Sequence, residues 1–154
     1  MAVVRILVDG YSLLHAWQDL APKEPRHSAR AREALIRVLT QYADSTGTPV
    51  TLFFDGSGGP KDAPKNISSD SLEIVFSRDS KTADDLIERT AYRLKPYGEA
   101  LAVTNDYAER DTVISMGGLA QSCEDFIKDI ERAFNERDDF LKQYNRREVN
   151  RYKR

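Results

Sequence analysis

Five aspartates stand where chain chemistry would concentrate. Asp9 closes the apolar run Val3–Val8, Asp55 closes Val50–Phe54, and Asp106 follows Ala100–Val103 by way of Thr104 and Asn105. Asp84 and Asp85 are adjacent in the segment KTADDLIE. Carboxylates that converge repel: two charges 4 Å apart cost roughly 4 kcal/mol at an effective dielectric near 20. A cluster of three or four therefore needs raised pKa values or a bound cation. Oxygen ligands without His or Cys suit Mg²⁺ or Mn²⁺ rather than zinc. Such ions bind phosphate oxygens and acidify a coordinated water, so the residue types favour metal-assisted phosphoryl chemistry.

The elements that must position these acids are legible in the hydrophobic pattern. Val3–Val8 is short, apolar and rich in β-branched residues, as in a strand covered on both faces. Ser28 caps a helix to about Asp44, with Ala31, Leu35, Val38, Leu39 and Tyr42 at helical spacing and Gly47 as the stop. Val50–Phe54 and Leu72–Phe76 are further strands, separated by a Gly-, Pro-, Ser- and Lys-rich stretch from Ser57 to Asp70 that is expected to be a mobile loop. Thr82 opens a helix, with Asp85 completing a near capping box, and Pro96 and Gly98 end it. A strand at Ala100–Val103, a short helix from Tyr107 to Met116, a very short strand at Leu119 and Ala120, and a long helix capped by Ser122 complete the chain. Alternating strands and helices imply an α/β fold with a mostly parallel sheet, whose ligands bind beyond the carboxyl ends of the strands. All five acids belong to that one edge.

Helical geometry ranks the adjacent pair. At about 100° per residue, Asp84 flanks the apolar stripe formed by Ala83, Leu86, Ile87, Ala91 and Leu94, and is the better placed to face a cleft. Asp85 also suits the first turn of a helix as a favourable acid. Asp55 is either a further member of the cluster or a cap for the turn at Gly56. Arg78 and Lys81 precede the acidic helix, where they either hold substrate phosphates or are solvated loop cations. Tyr11 either stacks on a base at the cleft mouth or packs into the wall. Asn105 orients Asp106 or water, or supports the turn; Asp111 reads as an exposed helix position. His15 and His27 have no partner in the sequence and are assigned no role in catalysis, and Leu13, Leu14 and Trp17 read as core.

Length and composition set outer limits. The 154 residues suffice for one domain with a real core, and 40% hydrophobic with 31% charged residues is ordinary for a globular chain. No stretch approaches the roughly 18 apolar residues of a membrane span, and no cleavable signal pattern precedes the first strand. The single Cys123 can form neither an internal disulfide nor a cysteine-based zinc site, so the expected setting is the cytoplasm. The net charge of −2 is unevenly spread: Lys142, Arg146, Arg147, Arg151, Lys153 and Arg154 against Glu148 give the last 13 residues +5, leaving −7 on the other 141. The expected division is a body over residues 1–141 and a basic tail, 142–154, continuing the last helix and able to meet a polyanion.

The ordered set ILVDGYSLLHAW, LFFDG, KTADDLIE and AVTND resembles the YacP-like branch of the NYN domains, within the PIN-like nuclease superfamily, over about Val3 to Glu131. The resemblance implies a PIN-like three-layer α/β fold and Mg²⁺- or Mn²⁺-dependent endoribonuclease activity. It implies that Asp9, Asp84, Asp85 and Asp106 are the metal-binding and catalytic acids. From the residues themselves, Ser12, Asp55 and Asn105 are the candidates to support these acids, and Tyr11, Arg78 and Lys81 the candidates to contact RNA. YacP-like proteins are linked with RNA processing or decay and some with ribosomes, and PIN-like proteins often pair as homodimers. One departure is local: many NYN domains carry Asn three residues after the first Asp, and here Ser12 stands there.

Two other functions compete. A non-catalytic RNA- or ribosome-binding module would rely on the basic tail and show steep salt dependence. A phosphatase of the haloacid dehalogenase type usually wants a second Asp two residues after the first, where this chain has Tyr11.

Overall fold

The computed structural model describes residues 3–56, 66–68, 71–78 and 80–152, with 66–68 and 139–152 described by backbone alone. Six strands form one sheet: β1 (Val3–Asp9), β2 (Val50–Phe54), β3 (Asn66–Ser68), β4 (Leu72–Phe76), β5 (Glu99–Val103) and β6 (Leu119–Gln121). The order is β3-β4-β2-β1-β5-β6. All neighbours run parallel except β3, which is antiparallel to β4. Five helices cover the faces: α1 (Gly10–Ala16), α2 (Ala29–Thr46), α3 (Ala83–Leu94), α4 (Tyr107–Ser115) and α5 (Cys123–Tyr152).

The central strands show why their sequences lack polar alternation. Ile6 and Val8 point into a core built with Leu13 and Leu14 of α1, Leu35 and Leu39 of α2, and Phe126 and Ile130 of α5. Leu7 points the opposite way, into a second core with Ala83, Ile87 and Ala91 of α3 and Val113 of α4. Each fully buried Leu, Ile or Phe stabilises the fold by about 1.5–3 kcal/mol relative to an exposed one. Both faces of the sheet are therefore apolar, and the result is three layers. Leu13 and Leu14 are fully buried and Trp17 packs against them, as their apolar character implied.

The expected elements are present, with two additions. α1 begins at Gly10, immediately after β1, with Asp9 as its N-cap accepting from the Ser12 N–H at 3.3 Å. A Cβ at Gly10 would lie 3.0 Å from the Phe53 carbonyl oxygen and closer still to the Phe54 ring. Only glycine lets the chain turn from β1 into α1 against β2. Asn66–Ser68 forms β3 inside the segment expected to be a loop throughout, because backbone pairing with β4 needs no apolar signature. Ser57-Gly58-Gly59 and the rest of 57–65 lie outside the described residues, as do 69 and 70.

Strand order creates a switch point. From β1 the chain moves outward through β2 to β4, then α3 carries it back across the other face to β5, on the far side of β1. Chain segments therefore diverge beyond the carboxyl ends of β1 and its neighbours, leaving a crevice there.

Candidate active site

That crevice is a cleft of about 590 Å³ whose walls include Asp9, Ser12, Asp55, Asp84, Asn105 and Glu124. Asp9 and Asp84 line it, and one carboxylate oxygen from each lies within 4.8 Å of the other and of an oxygen of the buried Glu109. Each comes from a different element. Asp9 ends β1, Asp84 occupies the first turn of α3, and Glu109 occupies the first turn of α4.

Local capping aims these side chains. At the start of α3 the Thr82 hydroxyl accepts from the Asp85 N–H at 3.2 Å, and the Asp85 carboxylate accepts from the Thr82 N–H at 3.1 Å. Asp85 is thereby turned outward, leaving Asp84 at the cleft. At the start of α4, Asp106 accepts from the N–H groups of Ala108 and Glu109 at 2.9 and 3.3 Å. The Thr104 hydroxyl accepts from the Asp106 N–H at 3.2 Å. With Asp106 committed to the cap, Glu109 one turn later projects inward, 3% exposed.

The electrostatics follow from burial. Asp9 is pushed up to about 6, first by burial and then by the Asp84 charge, against the stabilising pull of the Ser12 N–H and hydroxyl. Glu109 is raised well above the ordinary carboxyl range by burial, by Asp84 and by Asp9, opposed only weakly by the nearby Thr104 hydroxyl. Neither carboxylate oxygen of Glu109 has a hydrogen-bond partner among the described residues. An orphaned buried carboxyl facing two others is costly. At 4.8 Å each fully ionised pair would repel by roughly 3 kcal/mol at an effective dielectric near 20. A hard divalent cation relieves both problems, since it supplies the missing partner and the opposing charge. The donor set, three carboxylates without His or Cys, fits Mg²⁺ or Mn²⁺.

Glu88, one turn after Asp84, is also raised, through burial and the charges of Asp85, Asp84 and Asp106, so it extends the acidic field along α3. Asp106 belongs to that field but is exposed. Asp55 receives the Ser77 hydroxyl at 3.2 Å, while the same hydroxyl accepts from the Gly56 N–H at 2.9 Å. This bond fastens the end of β2 to the residue after β4. Asn105 accepts from the Cys123 N–H at 2.8 Å and donates to Glu124 at 3.0 Å, joining the end of β5 to the start of α5. Arg78, Lys81 and Asp111 are exposed. Cys123 is buried beside Asp9 and its thiol is pushed up to about 12, mainly by burial, so it stays protonated and inert as a nucleophile.

Two features of the cleft, Glu109 and the histidine pair, escaped the sequence, and a third settles the alternative drawn for Tyr11. Glu109 stands three residues after Asp106, the spacing of a capping box, and that pattern hides an inward-facing acid as a capping partner. His15 and His27 are twelve residues apart in sequence, yet their Nε2 atoms meet at 3.2 Å on the cleft wall. Tyr11 packs between His27 and Phe54, with ring centroids at 4.3 and 5.1 Å, so its ring belongs to that wall. Its hydroxyl accepts from Arg32 at 3.3 Å.

Comparisons with known proteins agree with this architecture. YacP of Bacillus subtilis is 30% identical over 127 residues, covering 82% of this chain and 74% of that protein. The crystal structure of Rae1 (YacP) from Bacillus subtilis superposes with a TM-score of 0.75 at 27% identity, over 93% of this chain and 81% of that one. A single-site variant of the same protein gives a TM-score of 0.77 at 25% identity, over 92% and 82%. The model of the YacP-like NYN domain matches residues 6–154. The chain belongs to the YacP-like NYN domain family.

Proposed function

We propose that this protein is a divalent-metal-dependent endoribonuclease working in the cytoplasm. The observation that carries the reading is the carboxyl of Glu109, buried and without a hydrogen-bond partner, facing Asp9 and Asp84 across the switch point of the sheet. A structural acid would be paired or absent, whereas a metal ligand must keep its oxygens free.

Asp9, Asp84 and Glu109 would hold Mg²⁺ or Mn²⁺, with Asp106 and Glu88 adding negative potential at the rim. When bound, the ion supplies a coordinated water of lowered pKa and neutralises charge on phosphoryl oxygens. The protein's own part is positioning. Asp9 and Glu109 give up protons as the site loads. Ser12 donates to Asp9 and holds it in place. Asn105 fastens the α5 N-terminus beside the cleft and places Glu124 on its wall. An open cleft admits a single strand or loop more readily than a rigid duplex, and membership of the YacP-like NYN family supports RNA as the substrate; the ribosome is a candidate partner through the basic segment 142–154.

The test is Mn²⁺ calorimetry and cleavage of a panel of single-stranded and hairpin RNAs by the parent, Asp84→Asn and Glu109→Gln. The reading expects Mn²⁺ binding and cleavage in the parent and loss of both in each variant, with folding retained. RNA binding that persists in the variants, without cleavage by the parent, would instead favour a non-catalytic binding module.

A further inference from the structure

The cleft poses an electrostatic difficulty for a polyanionic substrate. Its lining includes the carboxylates of Asp9, Asp55, Asp84 and Glu124 and, among the described residues, neither Lys nor Arg. A cation on the acids answers for one phosphate only. The next phosphate along an RNA strand meets a wall that, among the described residues, offers no basic group apart from two side chains. Those two are His15 and His27, the chain's only histidines.

Resting on the nuclease reading of this cleft, we propose that His15 and His27 together form a phosphate-binding subsite. It holds the RNA phosphodiester adjacent to the one cleaved. Both rings are exposed, and their Nε2 atoms face each other at 3.2 Å. In the free protein one ring donates its Nε2–H to the lone pair of the other. A phosphate has two terminal oxygens and can accept one Nε2–H from each ring. One neutral N–H···N bond is then exchanged for two charge-assisted N–H···O bonds. Each imidazole then points its Nε2–H at one terminal oxygen of the same phosphate.

The surroundings hold the pair in place for this role. His27 stacks against Tyr11, which is itself braced by Phe54 and by the Arg32 guanidinium; Arg32 also donates to the His27 carbonyl at 2.8 Å. The preceding residue, Arg26, donates to the carbonyls of Leu14, Trp17 and Glu24 at 3.0–3.1 Å and to that of Ala21. One guanidinium thus ties the connection between α1 and α2 back onto α1, which carries His15. The titratable groups that line the cleft with the pair, among the described residues, are Tyr11 and the four carboxylates named above, so the anions sharing it come from β1, the end of β2, α3 and α5.

Because the chain has two histidines, the test is direct. The full-length protein, ¹⁵N-labelled at histidine, is titrated by NMR with a phosphorothioate single-stranded 12-mer RNA in Mg²⁺, with inorganic phosphate as a parallel arm. Cleavage and anisotropy binding are measured for the parent, for His15→Gln/His27→Gln and for His15→Gln/His27→Arg. The proposal expects both Nε2 signals to move with RNA at concentrations where inorganic phosphate has no effect. It expects the Gln/Gln protein to bind RNA about tenfold more weakly, with KM raised and kcat little changed. It expects the Gln/Arg protein to regain most of the affinity, which a brace made of stacked imidazoles would not. Unmoved histidine signals on RNA binding, an unaltered KM in the Gln/Gln protein with unchanged melting temperature, or equal response to inorganic phosphate would each overturn it. Histidine signals that respond to RNA in a parent that never cleaves would uphold the subsite and sink the nuclease reading. A parent that neither binds nor cleaves RNA overturns both.

Discussion

Glu109 on α4 and Asp84 on α3 bring carboxylate oxygens within 4.8 Å of each other and of Asp9, although Glu109 is 3% exposed and neither of its oxygens has a partner at hydrogen-bond geometry among the described residues. Two acids on separate helices meet over the end of a strand that carries a third. Folding a chain into that arrangement opposes its own stability, and the expected consequences are measurable.

Replacing Glu109 with Gln removes a buried group that must otherwise hold a proton at neutral pH. The metal-free protein should become more stable by about 1–3 kcal/mol, read as a higher melting temperature in EDTA. Mn²⁺ affinity should fall at least tenfold in the same variant. A destabilised variant with unchanged Mn²⁺ binding would make Glu109 a structural residue.

The pH dependence has a definite sign. Asp9 is raised from 3.8 to about 6, so the folded state holds this proton more tightly than the unfolded chain does. The stabilising contribution is full below pH 3.8 and is lost as pH rises through 6, by about 3 kcal/mol in all. Glu109, raised in the same direction, extends the loss to higher pH. Chemical denaturation of the metal-free protein between pH 4 and 7 should show this decline. Asp9→Asn, which keeps an acceptor for the α1 cap, should flatten its lower part. Saturating Mn²⁺ should reverse the decline, because binding releases these protons.

Asp84 and Asp85 are neighbours with opposite expected phenotypes. Asp85→Ala breaks the reciprocal cap with Thr82 and should cost about 1 kcal/mol of stability while leaving Mn²⁺ affinity within twofold. Asp84→Ala should abolish Mn²⁺ binding and leave stability unchanged or improved. Equal loss of metal binding in both would place Asp85 among the ligands after all.

Arg26→Ala strands the four carbonyls that its guanidinium satisfies between Leu14 and Glu24. Hydrogen exchange should accelerate in residues 17–28 while the sheet core stays protected. The loss in global stability should reach about 2 kcal/mol. Unchanged exchange in this connection would show that α1 and α2 hold it without the arginine.

Much of this molecule could be read from local pattern. Runs rich in β-branched and other apolar residues at Val3–Val8 and Val50–Phe54 signal strands buried on both faces. Ser28, Thr82 and Ser122 each accept the N–H three residues on, as capping residues do. Strand–helix alternation was enough to gather the aspartates at one edge, and helical phase was enough to separate Asp84 from Asp85. These features depend on neighbours a few residues apart, where the sequence is its own structural record. Other features rest on contacts between distant segments. Tertiary structure decided that an oxygen of Asp106 caps α4 while Glu109 enters the buried cluster, because burial depends on where α4 packs against α3. It also set β3 beside β4 through backbone bonds that leave no side-chain signature. Finally, it joined His15 to His27 by folding the connection after α1 back over that helix, a meeting no spacing rule anticipates because the clamp on Arg26 is made of backbone carbonyls.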